Sequence, residues 1–236
     1  VTSRLMRMLF LILIISIRAW LAPASADEIT VPCTLNGETI PNLSIVKEKI
    51  CQYYETGQWE KEAAAVCGKA EKLLEGYGKK SKDGKQNAII FDIDDTLLCN
   101  YRMMKERDFS FNLTIPEWGE WFQKRSAPAI KPVQKLMKKA QEKGIAIFLI
   151  TGRPEAFRAI TEETLKLEGY SGINGIIFFK KPDNDYSAIA YKPLERKKLT
   201  EKGYSIIMSV GDQDSDIQGE YTEHVIKIPN PMYVIH

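Results

Sequence analysis

The stretch that decides the fold is Asn87-Ala88-Ile89-Ile90-Phe91-Asp92-Ile93-Asp94-Asp95-Thr96. A short apolar run breaks off abruptly into acids. The run is continuous rather than alternating, as in a strand buried on both faces. Similar runs recur at 145–150, 173–179, 205–210 and 225–228. Helical patterns lie between them. Pro132 opens one whose apolar face is Val133, Leu136, Met137 and Ala140, and Gly144 closes it. Pro154 opens the next and Gly169 ends it, and a third covers about 194–202 before Gly203. Upstream, residues 40–76 show helical spacing in two pieces separated by Gly57, and the polar stretch 76–86 reads as a linker or exposed loop. Strands alternating with helices predict an α/β fold: a three-layer core on a mainly parallel sheet of about five strands.

In such a sheet ligands bind beyond the carboxyl ends of the strands, so the residues following each run matter most. The first run leads into Asp92, Asp94 and Asp95, the second into Thr151-Gly152-Arg153, and the fourth into Gly211-Asp212-Gln213-Asp214-Ser215-Asp216. Six of the eleven aspartates fall in the first and last clusters. Carboxylates gathered there repel one another unless they share a cation. A hard divalent ion with oxygen ligands, most simply Mg²⁺, fits that need. With only His224 and His236 in the chain, a multi-histidine metal site or a phosphohistidine mechanism has little to draw on. Asp212 to Glu223 also mimics part of a calcium loop, but Ile217 stands where that loop requires glycine.

Asp92 and Asp94 are two apart and project to the same side of an extended chain. One can act as nucleophile while the other handles the proton, which is the division that covalent phosphoryl transfer needs. Thr151 and Gly152 offer a hydroxyl and an approachable N–H near a helix N-terminus, both suited to a phosphate. Lys192 is the natural source of fixed positive charge. Lys197 and Lys198 are close by, but a helix starting near Leu194 would carry them to solvent.

These motifs resemble the haloacid dehalogenase (HAD) superfamily, and within it the exported acid phosphatases related to plant vegetative storage proteins and bacterial class B and C enzymes. The likeness spans about residues 40–236. It rests on Phe91-Asp92-Ile93-Asp94-Asp95-Thr96-Leu97-Leu98, on Phe148 through Glu155, on Tyr191-Lys192 with Arg196, and on Gly211 through Asp216. Pro229-Asn230-Pro231-Met232-Tyr233 resembles the family's closing motif. Asp95 stands where many members have Glu, and Asp214 where many have an aromatic. The resemblance implies a HAD-like Rossmannoid core over 87–236, with a cap insert at about 99–131, behind an N-terminal helical segment and linker at 27–86. It implies a Mg²⁺-dependent phosphomonoesterase. Asp92 would form an aspartyl phosphate, and Asp94 would serve as general acid and then base. Thr151, Gly152 and Lys192 would bind the phosphoryl group. Mg²⁺ would be held by Asp92, the Asp94 main-chain carbonyl and Asp212, with Asp216 nearby as a ligand or through a water. Arg153 would support the site or cap its loop. Nucleotides are one expected substrate group. The alternatives on the same fold are a storage or binding protein, or a phosphotransferase to an alcohol.

The insert carries Tyr101, Phe109, Phe111, Trp118, Trp121 and Phe122. These aromatics either wall a pocket for an aryl or nucleoside leaving group or form a small core of their own, the commoner use of such residues. Tyr101, close to Asp94 in sequence, is expected to line the pocket.

Charged residues make up 27% of the chain and hydrophobic ones 44%, the composition of a globular protein rather than a disordered, fibrous or multi-span one. Residues 1–26 hold Arg4, Arg7 and Arg18 and no acid, so the formal +2 of the whole becomes −1 for 27–236. That near-neutral body argues against a nucleic-acid polymer as partner and leaves a small phosphomonoester. Arg4 and Arg7, a short apolar run and Ala24-Ser25-Ala26 read as a signal peptide over 1–26. They predict export to a periplasm or the exterior, with no stable membrane insertion after cleavage. Cys33, Cys51, Cys67 and Cys99 would then allow one or two disulfides in three full pairings, with free buried thiols the alternative. Asn42-Leu43-Ser44 and Asn112-Leu113-Thr114 fit glycosylation acceptors.

Overall fold

The computed structural model describes residues 33–180 and 188–235, and the expected signal peptide lies outside them. The chain divides into two units at Asn42/Leu43. In the first, β1 (Thr34–Leu35) and β2 (Glu38–Thr39) pair antiparallel. Asn36 and Gly37 between them both take positive φ, as a two-residue hairpin turn requires.

The second unit is built on a parallel sheet of β3 (Gln86–Phe91), β4 (Ala146–Pro154), β5 (Gly175–Phe179), β6 (Tyr204–Gly211) and β7 (His224–Lys227). Its order is β5-β4-β3-β6-β7, which puts β3 in the centre. The helices are α1 (Leu43–Glu55), α2 (Gln58–Leu74), α3 (Tyr101–Glu106), α4 (Ile115–Lys124), α5 (Lys131–Glu142), α6 (Arg158–Leu167), α7 (Ala188–Glu201) and the single turn α8 (Asp214–Ile217). Among the described residues no helix is long and apolar enough to cross a membrane.

The continuous apolar runs are explained by two separate cores. Ile89 and Phe91 of β3, with Ile147 and Leu149 of β4, pack under Ala63, Cys67, Ala70 and Leu74 of α2 and Val133, Leu136, Met137 and Ala140 of α5. The alternate residues Ala88, Ile90, Ala146, Phe148 and Ile150 face Tyr191 and Leu199 of α7. β3 and β4 thus bury both sides, with period two, whereas the edge strand β7 buries only Ile226 and leaves Val225 exposed. The N-terminal helices α1 and α2 share the first core with the sheet, and Trp59 Nε1 donates to the Pro229 carbonyl at 2.8 Å.

Two expectations need correcting. The helix expected to start near Leu194 starts at Ala188 and carries Pro193 inside it. Proline is preorganised for a helix start, but burial of Tyr191 and Lys192 against the sheet draws the preceding residues into the same helix. After Pro154 the chain first makes a 3₁₀ turn, Glu155–Phe157, and only then α6. Of the alternatives open for the cysteines, the structure has all four as free thiols, with Cys67 buried inside α2.

Candidate active site

The parity of β3 continues past its end. Asp92 follows Ile90 onto the α7 side, and its N–H donates to the Val210 carbonyl at 2.9 Å. There Lys192 Nζ meets Asp92 Oδ1 at 2.6 Å and Asp216 Oδ1 at 2.5 Å, all three side chains nearly buried. Lys197 and Lys198, further along α7, are exposed as expected.

Asp216 reaches this position because α8 folds straight back over the end of β6. A Cβ on Gly211 would lie 2.1 Å from Asp216 Cβ, so only glycine admits the approach. The Gln213 N–H donates to Asp216 Oδ2 at 2.8 Å. Arg196 of α7, fully buried, donates to the Asp216 carbonyl at 2.8 Å and braces the same turn. Asp212 accepts from Thr96 Oγ1 at 3.1 Å, Gln213 Nε2 at 2.6 Å and Asn230 Nδ2 at 2.7 Å.

Carboxylate oxygens of Asp92, Asp212 and Asp216 all lie within 4.8 Å of one another. Buried negative charge outnumbers the single ammonium that Lys192 brings. Burial, opposed by Lys192 and reinforced by Asp216 and Asp94, pushes the Asp92 carboxyl up to about 7. Asp212 is driven well above the usual carboxylate range by burial and then by Asp216, Asp92 and Asp95. Lys192 is raised as well: burial alone would lower it, but Asp216 and Asp92 outweigh burial and keep it charged. A hard oxygen donor set with uncompensated buried charge fits a divalent cation.

Asp94 is held differently. Arg153 grips it with Nε on Oδ2 at 2.8 Å and Nη2 on Oδ1 at 2.7 Å, and Asn100 Nδ2 adds a third bond to Oδ1 at 2.9 Å. Burial would raise its pKa, but Arg153 and Asn100 hold it below the ordinary value. Thr151 is fully buried, its hydroxyl accepting the Arg153 backbone N–H at 3.1 Å, while Gly152 next to it is exposed and lines the cavity. Asp95, at φ 55, binds the Asn100 N–H at 2.8 Å and the Tyr233 hydroxyl at 2.6 Å. Asp214 is turned outward and pairs with Lys227.

Above these groups lies a cavity of about 340 Å³. Its floor is Asp92, Asp94, Lys192, Asp212 and Asp216, and its walls are aromatic: Phe111, Trp118 and Phe122 of the insert with Phe157, Phe179 and Tyr233. Phe111 stacks on Tyr233 at 4.0 Å, and Trp118 on Phe122 at 5.5 Å. The insert therefore serves both purposes weighed from sequence. Tyr101 does not join the wall. The start of α3 turns it toward α1, where it stacks on Tyr54 at 4.3 Å and donates to Glu55 Oε1 at 2.7 Å. Asn100, which no sequence pattern singled out, takes a structural part: it binds Asp94 and Asp95 and accepts from Trp121 Nε1.

A parallel sheet with an acid cluster, a buried lysine and an aromatic-walled cavity at the carboxyl ends of its strands defines a HAD-like α/β protein. Residues 22–236 match the family described as HAD superfamily, subfamily IIIB (acid phosphatase), and the chain belongs to that family. It is 32% identical over 155 residues to acid phosphatase 1 of Solanum lycopersicum, covering 65% of this chain and 61% of that one. It is 30% identical over 204 residues to the stem 28 kDa glycoprotein of Glycine max, covering 84% and 77%. The match to the tomato protein thus spans less than two thirds of that protein's length. The class C acid phosphatase of Bacillus anthracis has the same fold, with a TM-score of 0.59 at 20% identity over 81% of this chain and 85% of that one.

Proposed function

We propose that this protein is an exported acid phosphatase that hydrolyses small phosphomonoesters through an aspartyl phosphate. One observation carries the reading: Asp92, at the end of the central strand, is ion-paired to buried Lys192 on the floor of an aromatic-walled cavity. A storage or binding role has no need of such a complete set of charged partners.

The chemistry follows from the groups present. Asp92 attacks phosphorus, forming a carboxylate O–P bond as the ester P–O bond breaks, and Asp94 gives its proton to the departing oxygen. Arg153 holds the Asp94 carboxyl in place for this step, and the negative phosphate of a bound substrate would favour its protonated form. Water then attacks phosphorus, Asp94 takes its proton, and the O–P bond to Asp92 breaks, which releases inorganic phosphate and restores the Asp92 carboxylate and the protonated Asp94. Lys192 holds Asp92 in line and counters charge on the phosphoryl oxygens, and the Gly152 N–H, on the exposed residue lining the cavity, would bind one of them. Asp92, Asp212 and the Asp94 carbonyl would hold Mg²⁺ with Asp216 beside them, and the ion when bound would neutralise phosphate charge. The aromatic walls suit an aryl or nucleoside leaving group, and nucleotides are the substrates proposed for them. Export rests on the basic-apolar-small pattern of residues 1–26.

The test is turnover of p-nitrophenyl phosphate by wild type and Asp92→Asn, each with and without EDTA. The variant is expected to fold and to lose at least about 10³-fold in kcat, as for other nucleophile removals. Undiminished turnover in the variant would remove Asp92 from its role, and undiminished turnover after thorough chelation would remove the metal.

A further inference from the structure

The two groups that hold Asp94 are themselves held by adjacent residues of α4. The Phe122 ring lies under the Arg153 guanidinium, 3.9 Å from ring centre to Cζ. Trp121 Nε1 donates to Asn100 Oδ1 at 2.8 Å. Asn100 is fully buried and Trp121 is 5% exposed, so water does not compete for this bond. An indole N–H can only donate, so the oxygen of the Asn100 amide must face Trp121 and its NH₂ must face Asp94. The reversed amide would point an oxygen at Asp94 and also at Asp95, whose Oδ2 is 3.4 Å from Asn100 Nδ2. Trp121 therefore decides which way the amide points. The same helix sets Trp118 and Phe122 on the cavity wall.

We infer that Asn100 and Trp121 are positioning residues: together they hold the Asp94 carboxylate in register with the leaving oxygen, and they tie that register to the seating of the helix that walls the leaving group. The inference rests on the proposed proton-transfer role of Asp94. It adds that the insert helps to orient the acid as well as to surround the substrate.

The test compares two substrates. p-Nitrophenolate leaves without a proton, whereas the alkoxide of glycerol phosphate needs one. The quantity measured is kcat/KM, which reads events up to departure of the leaving group and is blind to later dephosphorylation. Trp121→Phe keeps the ring bulk and deletes the donor. It is expected to lower kcat/KM about 10-fold for glycerol phosphate and less than about 3-fold for p-nitrophenyl phosphate, a fraction of the usual general-acid contribution. Asn100→Ala should be more selective still, and the double variant no worse than Asn100→Ala, because both act through one amide. Asp94→Asn is the benchmark. Equal losses on both substrates in Asp94→Asn would refute the proton-transfer reading itself. Selective loss in Asp94→Asn, with wild-type rates or equal losses in Trp121→Phe, would overturn the positioning role alone. Circular dichroism checks the folds, and if Asn100→Ala fails to fold, Trp121→Phe decides.

Discussion

A divalent cation should raise the melting temperature of this protein, and should do so far more at about pH 8 than at about pH 5. Without the ion, Asp92 has a folded pKa of about 7 against an ordinary 3.8, chiefly because it is buried. Asp95 is pushed up to about 6, again by burial first. A raised folded pKa means the folded state keeps a proton that the unfolded chain has lost. The resulting stabilisation is full below about pH 4 and drains away as pH climbs through about 7. For Asp92 alone the loss is on the order of 4 kcal/mol, about three pH units at ~1.4 kcal/mol each. A cation that takes the proton's place removes that penalty. At a hundredfold excess over Kd, binding adds about 2.7 kcal/mol, or roughly 5–10 °C in a domain of this size. At about pH 5 the proton competes strongly with the ion at Asp92, so the same concentration adds well under about 1 kcal/mol, roughly 1–2 °C. The assay is scanning fluorimetry in MgCl₂ and in EDTA at both pH values, with Asp212→Asn beside wild type. That variant should melt higher than wild type in EDTA at the higher pH and should ignore the ion. Equal Mg²⁺ shifts at the two pH values, or an undiminished shift in Asp212→Asn, would refute the argument that these acids form one crowded cation site.

Two further outcomes follow from packing. Gly211→Ala puts a methyl 2.1 Å from Asp216 Cβ, so α8 must lift off β6. A fall of about 1–3 kcal/mol in urea denaturation is expected, with a weakened Mg²⁺ response, and unchanged values for both would show that the close approach is dispensable. The Cys67 thiol is pushed up to about 12, mainly by burial. At about pH 8 the thiolate fraction falls about 10³-fold, so iodoacetamide should label Cys67 at least about 100-fold more slowly in the folded protein than in urea, and equal rates would contradict its placement inside α2.

What could be read along the chain was whatever is written contiguously. Apolar runs that end in acids mark buried strands and their carboxyl ends, and Asp92, Asp94, Gly152, Lys192, Asp212 and Asp216 do converge around one cavity. Arg153, left open between site support and loop cap, is the main clamp on Asp94. Tyr101 misled because nearness in sequence to Asp94 says nothing about which way a helix turns its first residue. Lys192 lies inside α7 and not ahead of it, since a proline is a start signal only when packing does not extend the helix backward.

The sequence by itself determined that this chain builds a parallel α/β sheet and collects acids at its strand ends, because strand burial and motif spacing are local properties of a run of residues. Only the tertiary structure decided how those acids divide the work. Asp92, Asp212 and Asp216 crowd together with Lys192, while Asp94 is turned aside to Arg153 and Asn100. The physical reason is that the charge and orientation of a buried carboxylate depend on neighbours a few ångströms away, and here those neighbours come from distant parts of the chain: Lys192 lies 100 residues from Asp92, and Arg153 lies 59 from Asp94.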